Sequence, residues 1–350
     1  MYTKPSASEI IIRERGRFLA EIIIIFIGIL ILNLIPYFLL PILIDTTSTL
    51  YAPLFFLLRV LSCIIAIPLF LIITNEILGW QKRKVILKQD EKNPAISHLK
   101  LYSIGKKNAK YQLLYGLLIL FLVFIPLDFI FYWLIPDTID YSFTVLQNNP
   151  ELSAYLVNSD YLIFLISTIT IHVSVAFYEE TIARGLMAKR GNDYFHRMSA
   201  VMISSFYFGL GHFTYFFTLS SWIPLLWFLQ TFIVGIILSL FFLRKKWLFP
   251  LIFAHALNNI ISSHTLWNYP NDFSNAALYL YTPLLVISVV LFIWQYSRIK
   301  AGIKTGINDF RHYFRNNKKI KESSSDKLLR IFLDFLIAIM IFIVGIIVIL

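Results

Sequence analysis

Glu179, His212 and His255 are ionisable side chains set in strongly apolar stretches of the chain. Inside a membrane span each would cost a few kcal/mol or more, so they are candidate functional residues from the outset. Glu179 is followed by Glu180, and Arg184 lies four residues beyond Glu180. On a helix Glu180 and Arg184 share a face and can form a bidentate ion pair, which turns Glu179 about 100° away. Glu180 is then committed to structure, while Glu179 sits in a drier setting that suits a general base. His212 follows Phe208 by four positions, and Gly209 and Gly211 lighten that helix so that another backbone can approach closely. His255 and Asn259 are also four apart and offer an imidazole and a carboxamide from one face. Taken singly, each has a plainer explanation: glutamates that begin a loop, a packed core histidine, polar side chains gluing helices together. The ordered set is hard to assemble by chance. Glu179, His212 and His255 supply a base and two imidazoles able to bind a metal or stabilise an oxyanion.

The elements that must carry these residues are membrane helices. Of 350 residues 58% are hydrophobic and 15% charged, with a mean hydropathy of +0.72, which excludes a water-soluble monomer. Runs long enough to span a bilayer fall at roughly 18–44, 54–77, 111–135, 161–178, 198–217, 222–243, 247–261, 277–296 and 331–350, giving an all-α polytopic bundle of about nine spans. The first is interrupted by Pro36 and Pro41, is too long for a signal-peptide core and is expected to be retained. Of the 31 Lys and Arg residues all but Arg59 fall on alternate connections, which predicts a cytoplasmic N-terminus and an external C-terminus. The net charge of +11 is thereby explained by basic segments such as Lys82, Arg83, Lys84 and Lys88, or Arg311, Arg315, Lys318, Lys319 and Lys321, lying on anionic lipid, with no nucleic-acid partner. The lone Cys63 excludes an intramolecular disulfide.

Other polar residues in the spans receive structural expectations. Glu21, Glu76 and Asp334 lie near span ends, where head groups can solvate them. Asp128, beside Pro126, is expected to cap a broken helix or pair with Arg59, and His172 to pack or support the site from behind.

The motifs Glu179-Glu180-x-x-x-Arg184, Phe208-x-x-x-His212 and His255-x-x-x-Asn259 resemble the EExxxR, FxxxH and HxxxN pattern of the CPBP family of intramembrane proteases, also called Abi, named for CAAX proteases and bacteriocin-processing enzymes. The resemblance runs over about 161–296. It implies an eight-helix core, from which this chain departs by one further C-terminal span, so that it divides into a bundle at 1–296, a basic cytoplasmic linker at 297–330 and an extra helix at 331–350. It implies peptide-bond hydrolysis near the cytoplasmic leaflet of a plasma membrane, on leader, bacteriocin or CAAX-like substrates anchored there. Low-GC bacterial composition fits. Residue by residue, Glu179 would activate water, His212, His255 and Asn259 would stabilise the oxyanion or complete a metal site, and Glu180, Arg184 and Phe208 would support them. If a metal is used, a single zinc held by Glu179, His212 and His255 is the expected set. The extra span is a candidate contact for a membrane-protein partner. Two alternatives stay open: a non-catalytic scaffold regulating an envelope enzyme, and a transporter, which the lack of internal repeats disfavours. Rhomboid-like serine chemistry lacks a GxSx segment, and HExxH zinc proteases lack their motif.

Overall fold

The computed structural model describes residues 5–82, 93–135, 137–148, 160–213, 221–315 and 321–349, and every regular element among them is helical. The helices are α1 (Ala7–Leu43), α2 (Tyr51–Lys82), α3 (Pro94–Leu99), α4 (Ala109–Leu134), α5 (Asp137–Gln147), α6 (Tyr161–Tyr194), α7 (Arg197–Phe213), α8 (Ile223–Lys245), α9 (Phe249–Asn275), α10 (Thr282–Arg315) and α11 (Ser324–Ile349). Arg83, Lys84, Lys88, Lys318 and Lys319 lie outside the described residues.

Local chemistry fixes where helices begin. The Ser6 hydroxyl accepts the Glu9 N–H at 3.3 Å while Glu9 accepts the Ser6 N–H at 3.0 Å, a reciprocal cap that starts α1. Asp160 accepts the Ile163 N–H at 2.9 Å and starts α6 where the apolar run starts. Pro126 has no N–H to give, and α4 is broken around it, with π-helical turns at Leu120–Phe124 and Ile130–Leu134.

Seven helices among the described residues are long and apolar enough to cross a membrane, in α1, α2, α4, α6, α8, α10 and α11. The fifth and seventh apolar runs are also helical, as α7 and α9. However, α7 is described over 17 residues and α9 carries Asn258, Asn259, Ser262 and Ser263, so nine spans are not established. The seventh run looked short in the sequence, yet α9 extends to Asn275.

Helix α6 extends well beyond the apolar run expected to form it. Its apolar run ends at 178, but the helix continues to Tyr194, passing through a π-helical segment at Thr181–Ala188. Arg184, Lys189 and Arg190 are therefore buried helical residues and not part of a loop. Buried partners, one local and one distant, offset the cost: Lys189 reaches Asp193 at 3.0 Å and Arg190 Nη1 donates to Asp193 at 2.9 Å, while Arg190 Nε donates to Glu21 at 2.9 Å and the Tyr194 hydroxyl donates to Glu21. A buried charge without such a partner would cost several kcal/mol. Glu21, expected among head groups, is instead fully buried.

Asp334 departs from its expectation in the same way. It is 1% exposed and accepts from Arg15 Nε at 2.8 Å and from the Tyr313 hydroxyl at 3.0 Å, joining α1, α10 and α11. Arg15 also donates to Ser199 of α7 at 3.1 Å. Phe18, Ile22 and Phe26 of α1 share one apolar cluster with Ile337, Ala338 and Ile341 of α11. The C-terminal helix is thus packed into the bundle. Residues 297–315 of the basic stretch continue α10 as helix. Arg59 does not meet Asp128; its guanidinium lies over the Tyr178 ring at 4.8 Å.

Candidate active site

Helices α6 and α7 form a hairpin whose turn lies at 195–196. Glu179 precedes that turn by as many residues as His212 follows it, about 24 Å of helix on each arm. The continuation of α6 beyond its apolar run is what brings the two residues level. Gly209 contributes to the packing of α7 on α8: a Cβ there would lie 3.2 Å from the Phe228 carbonyl oxygen. Gly211 has nothing within 4 Å of that position and plays no such part.

Glu180 is the hub. Its Oε1 accepts from Arg184 Nη1 at 2.8 Å and from His255 Nδ1 at 3.0 Å, and all three side chains are buried. The predicted Glu180–Arg184 pair forms, but through one contact and not two: Glu180 Oε2 and Arg184 Nε and Nη2 have no hydrogen-bond partner. The guanidinium is turned toward Phe208, with Cζ 4.2 Å from the ring centroid, an arrangement that favours a cation. The same ring meets His212 edge-on at 5.2 Å and His255 at 6.0 Å, while Phe124 stacks on His255 at 5.8 Å. Phe208 thus organises three charged or titratable groups at once.

Both imidazoles are oriented by these contacts. With Nδ1–H of His255 directed at Glu180, Nε2 is the free end, and it lies 3.7 Å from Glu179 Oε2. His212 Nδ1–H donates to the Phe208 carbonyl at 3.2 Å, which leaves its own Nε2 free. The Glu179 side chain is 31% exposed where that of Glu180 is 0%, so adjacent glutamates differ in both burial and partners. A chain Arg184–Glu180–His255–Glu179 results, in which a buried ion pair holds an imidazole against a more accessible carboxylate.

His212, His255 and Asn259 line a cavity of about 250 Å³. Sequence reasoning missed its wall: Asn258, Ser262 and Ser263 continue the His255 and Asn259 face along α9, a polar stripe at helical spacing that was readable in the sequence. His172 supports this wall, its Nε2 lying 2.5 Å from the Ser263 hydroxyl, and Asp128 accepts from Ser262 at 3.1 Å. Among the described residues no group of three or more His, Cys, Asp and Glu side chains converges in a way that could hold a metal ion. The expected set of Glu179, His212 and His255 is not gathered into a metal-binding geometry.

Outside the spans, His98 and Tyr102 brace the π-helical segment. His98 Nδ1 lies 3.3 Å from the Gly185 carbonyl, and the Tyr102 hydroxyl donates to Thr181 at 2.8 Å. Burial holds the His98 imidazole down at about 4 despite the Gly185 contact, so it is neutral at physiological pH.

No curated protein and no solved structure shows a significant match to the chain. Residues 161–261, which contain all seven motif residues, match the family model described as Rce1-like, type II CAAX prenyl endopeptidase Rce1-like. In agreement with the CPBP resemblance, residues 161–261 are similar to the Rce1-like family and are set in a helical membrane protein.

Proposed function

We propose that the protein is an intramembrane endopeptidase in which Glu179 activates the attacking water. The observation that supports this most directly is His255, held by Glu180 through Nδ1 and presenting Nε2 to Glu179 at 3.7 Å. Water attacks the scissile carbonyl carbon as Glu179 takes its proton, and the carbonyl oxygen becomes an oxyanion. The Asn259 carboxamide N–H stabilises that oxyanion, joined by His255 Nε2–H when the imidazole is protonated. His212 Nε2 orients the water. The C–N bond then breaks, the Glu179 proton passes to the leaving amine, and two peptide fragments result. Arg184 pairs with Glu180, and Glu180 holds His255 in the working tautomer and orientation, the part a buried carboxylate plays behind a catalytic imidazole.

The substrates are membrane-anchored peptides or protein tails, reached from the cytoplasmic side if the Lys and Arg distribution sets the orientation. The test is purified wild-type protein in nanodiscs with peptides anchored by a lipid or by an apolar helix, products being identified by mass. Internal cleavage that persists in chelator supports the assignment. A chelator-sensitive activity restored by zinc would replace it with a metal mechanism, and no cleavage of any anchored peptide would favour the scaffold reading.

A further inference from the structure

The cavity lined by His212, His255 and Asn259 has a second polar end that the hydrolytic chemistry does not use. Asp128 stands there, 4% exposed, with Oδ2 accepting from Ser262 at 3.1 Å and no other hydrogen bond among the described residues. Among the described residues lining the cavity Asp128 is the only carboxylate, and no Lys or Arg accompanies it. Arg59, the cation within the spans that could have paired with it, is spent on Tyr178. Two buried polar atoms of residues lining the cavity also lack partners, Asn258 Oδ1 on α9 and His172 Nδ1 on α6. A lone carboxylate deep in a membrane protein is costly unless a cation meets it, and buried carboxamides without partners are uncommon.

Position gives this a length scale. Ser262 follows His255 by seven residues on α9, about 10 Å along the helix. An extended peptide covers that distance in about three residues. A substrate strand lying along the polar face of α9 would pass Asn258, whose free Oδ1 can accept a main-chain N–H, before a side chain reaches Asp128.

We infer that the Asp128 end of the cavity is a substrate subsite that receives a cationic side chain, Lys or Arg, about three residues from the bond that is cut. This rests on the endopeptidase reading and specifies what that site selects. Selectivity comes from the ion pair that a cationic side chain forms with Asp128 and an uncharged side chain cannot form.

The test uses full-length protein in nanodiscs and anchored peptides carrying Lys or norleucine at one position at a time on either side of the scissile bond. At one position, about three residues away, Lys is expected to raise kcat/KM at least about tenfold over norleucine. Asp128→Asn should bring that ratio to near unity and Asp128→Glu should retain most of it. Because both peptides are read on the same preparation, a smaller folded fraction cancels from the ratio. Equal cleavage of all peptides by wild type, or an undiminished lysine preference in Asp128→Asn, overturns the subsite while leaving the protease assignment standing. If wild type cuts neither peptide the protease reading fails instead, and fluorescence anisotropy then decides the subsite: equal affinity for the Lys and norleucine peptides overturns it.

Discussion

Replacing Glu180 by Gln should damage the fold as well as the chemistry, whereas replacing Glu179 by Gln should damage only the chemistry. Glu180 and Arg184 are both 0% exposed, and Oε1 is the single oxygen that serves Arg184 at 2.8 Å and His255 at 3.0 Å. Gln keeps a carbonyl acceptor but removes the charge, leaving the Arg184 cation buried beside the Phe208 face without its directly paired carboxylate. Breaking a buried pair from one side typically costs about 3–5 kcal/mol. The Glu179 contact is 3.7 Å long and its side chain 31% exposed, so its loss should cost less than about 1 kcal/mol. The assay is unfolding in mixed micelles with increasing SDS, followed by helix content, on wild type, Glu179→Gln, Glu180→Gln and the double variant Glu180→Gln with Arg184→Met. The double variant should recover part of the loss because it removes the stranded cation. Equal stability of the two single variants, or a double variant no more stable than Glu180→Gln, would refute the view that Glu180 is the buried anchor.

Other expectations follow from the same reasoning. Arg15 and Asp334, paired at 2.8 Å and nearly unexposed, should couple in a double-mutant cycle: Arg15→Ala or Asp334→Ala alone should each destabilise the protein by about 3–5 kcal/mol, and the double variant by clearly less than their sum. His98 titrates near 4 in the folded protein and near 6.5 when unfolded, so the unfolded chain binds the extra proton between those values. Stability is fully present above about pH 6.5 and should fall by about 3 kcal/mol as pH drops toward 4, a slope that His98→Gln should remove in pH-dependent unfolding. Gly209→Ala should destabilise because its Cβ meets the Phe228 ring and backbone carbonyl at 3.1–3.2 Å, while Gly211→Ala, whose Cβ meets nothing within 4 Å, should be neutral or stabilise by up to about 1 kcal/mol in the same unfolding assay.

The parts of this site legible in the sequence were those carried by local spacing. Glu180 with Arg184, Phe208 with His212 and His255 with Asn259 are each four apart, and helical periodicity alone placed each pair on one face. What the sequence hid depends on pairing across long separations. Arg190 is paired with Glu21, and His255 with Glu180, across 169 and 75 residues. Without those partners the run from Arg184 to Tyr194 reads as a charged loop. The π-helical turn at Thr181–Ala188 is equally invisible to hydropathy, because it is a change in backbone hydrogen bonding and not in residue type. Asp334 illustrates the same limit, since nothing near it in the chain announces Arg15. The stripe from His255 to Ser263 was legible and overlooked, small hydroxyl side chains in membrane helices being so often packing glue.

The most direct test of the central claim is the cleavage rate of a membrane-anchored peptide by Glu179→Gln, measured beside wild type in nanodiscs after both have been matched for folded fraction. If Glu179 is the base that activates water, the variant should retain its helix content and its affinity for the peptide while kcat falls by about 10²–10⁴-fold. A folded Glu179→Gln protein that cleaves at the wild-type rate would contradict the account.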